Sequence, residues 1–453
     1  MPANLAPSSL QLPSAPSLID VHRQLPDRWP YLLASSASTG QLGRWSVLMR
    51  AGDQSLCLQT GGKLDGPGQG SQFLDRLKSW TGTPTVAPSA SSELPFHGGW
   101  FIYLGYELAG EIEPSLNLAS SDDGLPVAFA MHCPAALLFD HLEGICWLSA
   151  ESPTALEQAH AEIAALSIAA PEFDSALPSL DLRSDPGEHF MRGVERIREW
   201  ILDGDVFQVN LSRGWQGRSQ QALNPADLYT ALSQSNPAPF AGLARLPGGT
   251  IVSSSPERLV EIRGDRVQTR PIAGTRPRGL SADQDASLSA ELMAHPKERA
   301  EHIMLIDLER NDLGRVCQAG SVHVDELMVI ESYAHVHHIV SNIRGQLRPD
   351  VHLADVVAAV FPGGTITGCP KVRCMEIIAE LETRGRGCYT GSLGYLGHDG
   401  RADMNILIRS MVISDHKLSF RTGAGIVADS DPRSELAETE AKARGLLRAL
   451  RHD

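Results

Sequence analysis

Long apolar runs are missing from this chain. No stretch approaches the roughly 18 consecutive apolar residues of a membrane span, and Met1 to Pro16, rich in Pro, Ser and Leu, has neither a basic n-region nor a cleavage pattern. These absences predict no membrane-spanning helix, and the N-terminus reads as the frayed end of a cytoplasmic protein. Cysteine is scarce and scattered: seven residues with no C-x-x-C pair, which indicates neither a disulfide framework nor a zinc site. Positive charge is also in deficit. A formal net charge of -15 argues against nucleic acid or an anionic membrane as the main partner, while local basic pockets for small anions stay compatible with it. There is no internal repeat, no Walker loop and no kinase-type lysine motif.

What is present is a chain of 453 residues, 42% hydrophobic, long enough for a large core in two or three compact units. Residues 84–95 and 152–186 are rich in Pro, Ser and Ala or Thr and read as loop or linker. The second is the better boundary, dividing an N-terminal region, 1–186, from a C-terminal region, 187–453. Beyond it, Val194, Ile197 and Ile201 mark one face of a helix stopped by Gly204, and residues 206–212 alternate as a strand. Residues 249–253, 391–396 and 406–413 are further strand candidates. Strands between long amphipathic helices predict a mixed α+β architecture.

The last helix has Asp431 as N-cap and Pro432 at its first position. Leu436, Ala443, Leu447 and Leu450 form its apolar stripe, whereas Glu435, Glu438 and Lys442, at i, i+3 and i+7, share another face. An isolated Glu-x-x-Glu-x-x-x-Lys is more often a solvated helix with ion pairs. A second acidic helix over 297–312 supplies Glu298, Glu301, Asp307 and Glu309, and carboxylates from separate helices are what a hard cation requires. Phe361-Pro-Gly-Gly-Thr-Ile-Thr-Gly-Cys-Pro-Lys-Val-Arg and the turn Thr422-Gly-Ala-Gly-Ile can bring backbone N–H groups close to an anion.

Taken in order, five blocks resemble the chorismate-utilising enzymes, a family that includes anthranilate, aminodeoxychorismate, isochorismate and salicylate synthases. They are Phe207-Gln-Val-Asn-Leu-Ser-Arg; Ser255-Pro-Glu-Arg with Pro271-Ile-Ala-Gly-Thr-Arg; residues 297–312 with His337-His338; residues 361–373; and residues 423–442 preceded by Ile408-Arg409. The resemblance implies an anthranilate synthase component I-like α+β fold, two facing β-sheets with helices outside and the active site between them. It assigns Mg2+ to Glu301 and Glu438 with Glu435 assisting. It gives chorismate to Arg409, Tyr389, Thr365 and Lys442 and to the amides of Gly274, Thr275, Gly423, Ala424 and Gly425. Chorismate carries two carboxylates, which suits a planar Arg fork, a Lys and a metal. Glu257 matches the general acid that protonates the leaving C4 hydroxyl, which needs a raised pKa. His338 matches a substrate-side histidine.

Gln208 stands where the water-using members have a lysine base. Gln cannot take a proton, so the resemblance implies an ammonia-using member and a separate glutamine amidotransferase subunit, since no glutaminase site is visible here. Four N-terminal blocks, Tyr31-Leu-Leu-Ala-Ser, Gly43-Arg-Trp-Ser, Leu94-Pro-Phe-His-Gly-Gly-Trp and Gly105-Tyr-Glu-Leu, are similar to the aminodeoxychorismate-forming branch. Ala34 replaces the glutamate common in tryptophan-sensing relatives. Ala273 departs from that branch, where some members carry a lysine nucleophile, and matches the anthranilate-forming pattern.

Overall fold

The computed structural model describes residues 7–35, 43–83, 93–166, 177–333 and 336–451. Among them, two large antiparallel sheets of 12 and 11 strands face each other. The strand Gly99–Leu104 shows how the sequence specifies the layers. All six residues are buried, but they alternate: Trp100, Ile102 and Leu104 join one apolar cluster, Phe101 and Tyr103 another. Successive side chains of a strand point to opposite faces, so a wholly apolar strand needs cover on both. The inner cluster draws Tyr31, Val47, Met49 and Leu138 from the first sheet and Phe101, Tyr103, Phe129 and Leu393 from the second. Tyr31 stacks on Phe101 across it, ring centroids 3.9 Å apart. Each such buried side chain contributes about 1.5–3 kcal/mol.

The outer faces are covered by helices. Phe73–Thr81, Pro296–Gly314 and Leu353–Val360 pack on the 11-stranded sheet through Phe73, Leu77, Ile306, Leu313, Val356 and Val360. Pro225–Ser235 and Pro432–Ala449 pack on the other through Leu228, Leu232, Ala443 and Leu446. Both sheets run through the 186 boundary: Tyr31–Ala34 pairs with Phe240–Leu246, and Gly99–Leu104 with Ser392–Gly397.

Several expected elements are present. Gly187–Leu202 is helical with Val194 and Ile197 buried, followed by the strand Gln208–Ser219; Gly249–Ser255 and Ser392–Gly397 are strands. Three readings need correction. Ser8–Gln11 is an edge strand paired with Ile145–Ala150, so this part of the terminus is not frayed. The supposed linker contains the helix Pro153–Ala164, capped by Ser152 and anchored by Ala155 and Ala159; its alanines are helix formers, not spacers. Residues 406–413 do not form one strand: 406–409 leave one sheet, and Ser410–Ser414 begins in the other. Of the other proposed linker, 84–92 lie outside the described residues. Among the described residues, no helix is long and apolar enough to cross a membrane.

Candidate active site

Two crossings between the sheets lie side by side and form the centre of the site. The chain leaves Gly249–Ser255 in the 12-stranded sheet and enters Arg258–Arg263 in the other through Pro256 and Glu257. It returns from Ala402–Asn405 to Ser410–Ser414 through 406–409. Backbone bonds tie the crossings together: Ile406 N donates to Glu257 O at 3.0 Å, and Ser254 N to Arg409 O at 3.1 Å. The Ser255 hydroxyl donates to the Ile406 carbonyl. Arg409 is held at φ +51°, a left-handed conformation that a non-glycine residue keeps only where its surroundings impose it.

Glu257 is 4% exposed. Burial pushes its carboxyl up to about 7; Thr365, the Ile272 amide and Arg409 pull the other way, and the nearby Glu309 adds to the rise. The Ile272 amide is at 3.5 Å, a long contact, and the Thr365 hydroxyl is buried without a well-aligned partner. Glu257 therefore holds a proton near neutrality and is weakly restrained, as a proton donor requires. Burial depresses the Arg409 pKa while Glu257 supports its charge. Among the described residues the Arg409 guanidinium has no hydrogen bond or ion pair, so its fork is free for an incoming carboxylate.

His338 lies in the strand Val336–Gln346, and its Nδ1 is 3.3 Å from Gly274 O and 2.9 Å from Thr275 Oγ1. Burial first, then Arg409, pushes its pKa down to about 3, so the ring is neutral at pH 7. A carbonyl can only accept, which places the proton on Nδ1 and leaves a lone pair on the buried, unpartnered Nε2. Gly274, at φ +67°, shifts the register of Ile272–Pro277 against that strand. A Cβ there would come within 2.9 Å of Glu298 Oε2.

Residues 423–425 are strand, not turn. They sit inside Lys417–Ile426 and pair with 210–212 of Gln208–Ser219. The neighbouring strand Ser410–Ser414 accompanies Lys417–Ile426 only as far as Phe420, so the other edge of Gly423, Ala424 and Gly425 has no strand partner in the described register. Lys442 Nζ donates to Gly423 O there, at 2.9 Å. A Cβ at Gly423 would meet the Tyr389 hydroxyl at 2.6 Å, and one at Gly425 would meet Gln208 Nε2 at 2.5 Å. Glycine thus lets Tyr389 and Gln208 approach this backbone. Glu107, half-buried under the turn before Tyr389, accepts from the amides of Arg386 and Gly387 and orders that turn.

The carboxylates lie on two outer helices. Gln208 Nε2 donates to Glu301 Oε1 at 2.8 Å. Glu301 is raised by burial, then by Glu298, against Gln208 and lysines 297 and 442; Glu435 is raised by burial and Glu438, against Ser430 and the same two lysines. Glu301, Glu435 and Glu438 do not all bring a ligand atom within 4.8 Å of one another. Glu438, 48% exposed, takes the countercharge of Lys442 at 2.8 Å. Glu298 is paired with Arg276 at 3.2 Å and Lys297 with Asp429 at 2.8 Å, while Glu301, Glu435 and Glu438 supply the hard oxygen donors that suit a divalent cation. Asp307 points away and pairs with Arg310.

The turn at 361–373 also departs from expectation. Its Gly364 amide is taken by Glu309 at 3.2 Å, so a protein carboxylate occupies the donor meant for substrate. Glu309 and Glu298, read from the sequence only as members of the acidic helix, border the site, Glu309 on the Gly364 amide and Glu298 beside Gly274. They share a helical face with Glu301, at i+11, i and i+3, the periodicity that made Glu435 and Glu438 legible.

Residues 58–448 match the family described as chorismate binding enzyme. The chain is 44% identical over 381 residues to the anthranilate synthase component I-like protein of Synechocystis sp., covering 83% of this chain and 78% of that one. It is 41% identical over 383 residues to aminodeoxychorismate synthase component 1 of Bacillus subtilis, covering 81% and 80%. The crystal structure of anthranilate synthase component I from Streptococcus pneumoniae superposes with a TM-score of 0.79 at 31% identity, over 90% of this chain and 93% of that one.

Proposed function

The chain belongs to the chorismate binding enzyme family, and from that premise we propose that it is the aminating large subunit of an aminodeoxychorismate synthase. It converts chorismate and ammonia to 4-amino-4-deoxychorismate and water, for 4-aminobenzoate and folate synthesis. Ammonia comes from a glutamine amidotransferase subunit. The observation that carries the amination is Gln208: its amide is spent on Glu301 and offers no base to activate water, whereas ammonia brings its own lone pair.

The free Arg409 fork takes one substrate carboxylate, and the open edge at Gly423 to Gly425, with Tyr389 and Lys442, takes polar groups beside it. Glu257, protonated near neutrality, gives its proton to the departing C4 hydroxyl, which leaves as water. Neutral His338 accepts a substrate hydrogen bond at Nε2. Glu301, Glu435 and Glu438 would hold Mg2+. A bound Mg2+ supplies Lewis acidity and neutralises substrate carboxylate charge.

One residue favours a second reading. Ala273, 6% exposed beside Gly274, carries no nucleophile, as in the anthranilate-forming pattern in which ammonia adds directly at C2 and pyruvate is expelled. Product analysis by mass spectrometry separates the two, with chorismate, Mg2+ and ammonium, with and without aminodeoxychorismate lyase. Lyase-dependent 4-aminobenzoate supports the folate-branch reading; anthranilate formed without the lyase replaces it with the tryptophan branch.

A further inference from the structure

Outside this site, three ligating side chains meet at the rim of the inter-sheet layer. His132 lies in Ala128–Cys133 and His398 follows Ser392–Gly397, both in the 11-stranded sheet. Glu151 follows Ile145–Ala150 of the 12-stranded sheet. His132 Nε2 and His398 Nε2 both contact Glu151 Oε2, at 2.8 and 2.9 Å. All three ligand atoms lie within 4.8 Å of one another, the one such group among the described residues.

The geometry points to a transition-metal site here, distinct from the Mg2+ carboxylates, in which His132, Glu151 and His398 bind zinc and clasp the rims of the two sheets. Two imidazoles and one carboxylate form a donor set for Zn2+ with a fourth position open to water. They suit Mg2+ or Ca2+ poorly, because those ions prefer all-oxygen shells. The side chains are 24%, 17% and 12% exposed, held by the fold yet open to an entering ion. On binding, each imidazole gives up the Nε2 proton that it now donates to Glu151, the ring proton moving to Nδ1, and presents the freed Nε2 lone pair to the metal.

The surroundings leave room for these side chains. A Cβ on Gly98, at φ +101°, would meet Glu151 Cβ at 2.7 Å, and one on Gly52 would meet His132 Nδ1 at 3.0 Å. His398 N donates to Gly98 O at 3.1 Å and Glu151 N to Pro134 O at 3.0 Å, fixing both backbones. Trp100 stands edge-on to His398 with centroids 4.6 Å apart. Tyr389 and His398 flank opposite ends of Ser392–Gly397, roughly 20 Å apart at about 3.4 Å per residue. The cluster is therefore independent of whichever reaction the active site runs.

The test uses the full chain in excess Mg2+, titrated with zinc chloride and separately with cobalt chloride. Metal content is read by mass spectrometry after dialysis, and Co2+ binding by visible ligand-field absorption and quenching of tryptophan fluorescence. About one Zn2+ per chain and Co2+ quenching that weakens in Trp100→Phe are expected, with both metals lost in Glu151→Gln. That variant retains an oxygen to accept from both imidazoles, so its fold should persist, as its circular dichroism will show. His132→Ala with His398→Ala should abolish uptake as well. No uptake by the parent chain, or equal uptake by Glu151→Gln and the double variant, would overturn the site and leave a hydrogen-bonded clasp only.

Discussion

The two halves of the active site are built differently. Glu257 and Arg409 lie at the sheet crossings, on backbone tied to both sheets, and His338 lies within a strand of one sheet; all three are deeply enclosed. Glu298, Glu301, Glu435 and Glu438 hang from outer helices, more exposed and crowded with like charge. Burial sets protonation in the first half: it keeps an acid protonated and a histidine neutral. In the second, burial raises Glu301 and Glu435 first and neighbouring carboxylates add to it, so this half is organised by whatever cation it receives. The comparison implies that variants of the first half change chemistry at constant fold, whereas variants of the second change cation dependence.

The largest effect should come from the second half. Glu438→Gln removes one carboxylate from a set that needs several to hold a hard cation, and Mg2+-dependent turnover should be abolished with little change in thermal stability, because Glu438 is half exposed. Unchanged turnover at saturating chorismate would remove Glu438 from the metal site. Next comes Glu257→Gln, which deletes a proton donor while keeping its shape. A loss of about 10²–10⁴ in kcat is expected, with the Mg2+ dependence unaltered. A shift in Mg2+ affinity comparable to the kcat loss would mean that the two halves are not separable.

The same carboxyl gives a pH prediction. Its pKa rises from 4.5 to about 7 on folding, so between those values the native state binds more protons than the unfolded one. Stability is lost as pH rises through that window, by roughly 3 kcal/mol for this group alone. Glu257→Gln should therefore match or exceed the parent in denaturant midpoint at pH 8 and lose that advantage near pH 4.5. In the parent, kcat/KM should fall above about pH 7 as the acid deprotonates. His338, already neutral, should add no limb above pH 4. A profile flat through pH 7 would disqualify Glu257 as the acid.

Much of the second half was legible in the sequence, because helical periodicity places Glu435 with Glu438 on one face, and Glu298 with Glu301 on another. The first half was less so. Residues 406–413 alternate well enough to suggest one strand, and nothing local marks Arg409 as the point where the chain changes sheets; that conformation is imposed by Glu257 and Ser254 across the neighbouring crossing. The glycines at 423–425 suggest a turn by composition, yet their use is close approach of Tyr389 and Gln208 to an extended strand. Propensity describes what a segment prefers alone, and these segments take their form from tertiary partners.

Gln208 joins the halves, and its replacement is the subtlest probe of the comparison. It extends from the strand beside Gly425, donates to Glu301 at 2.8 Å, and leaves its own Oε1 buried without a partner. Gln208→Lys fits the space that glycine leaves at 425 and exchanges an amide for an amine. Burial lowers a lysine pKa while Glu301 raises it, so only a fraction of the variant carries a neutral base beside the site. That fraction should activate water and yield isochorismate as a minor product, rising with pH until Glu257 loses its proton. Chromatography of reactions run without ammonium would detect it. A variant that makes no isochorismate at any pH would mean that the nucleophile is chosen by something other than the residue at 208.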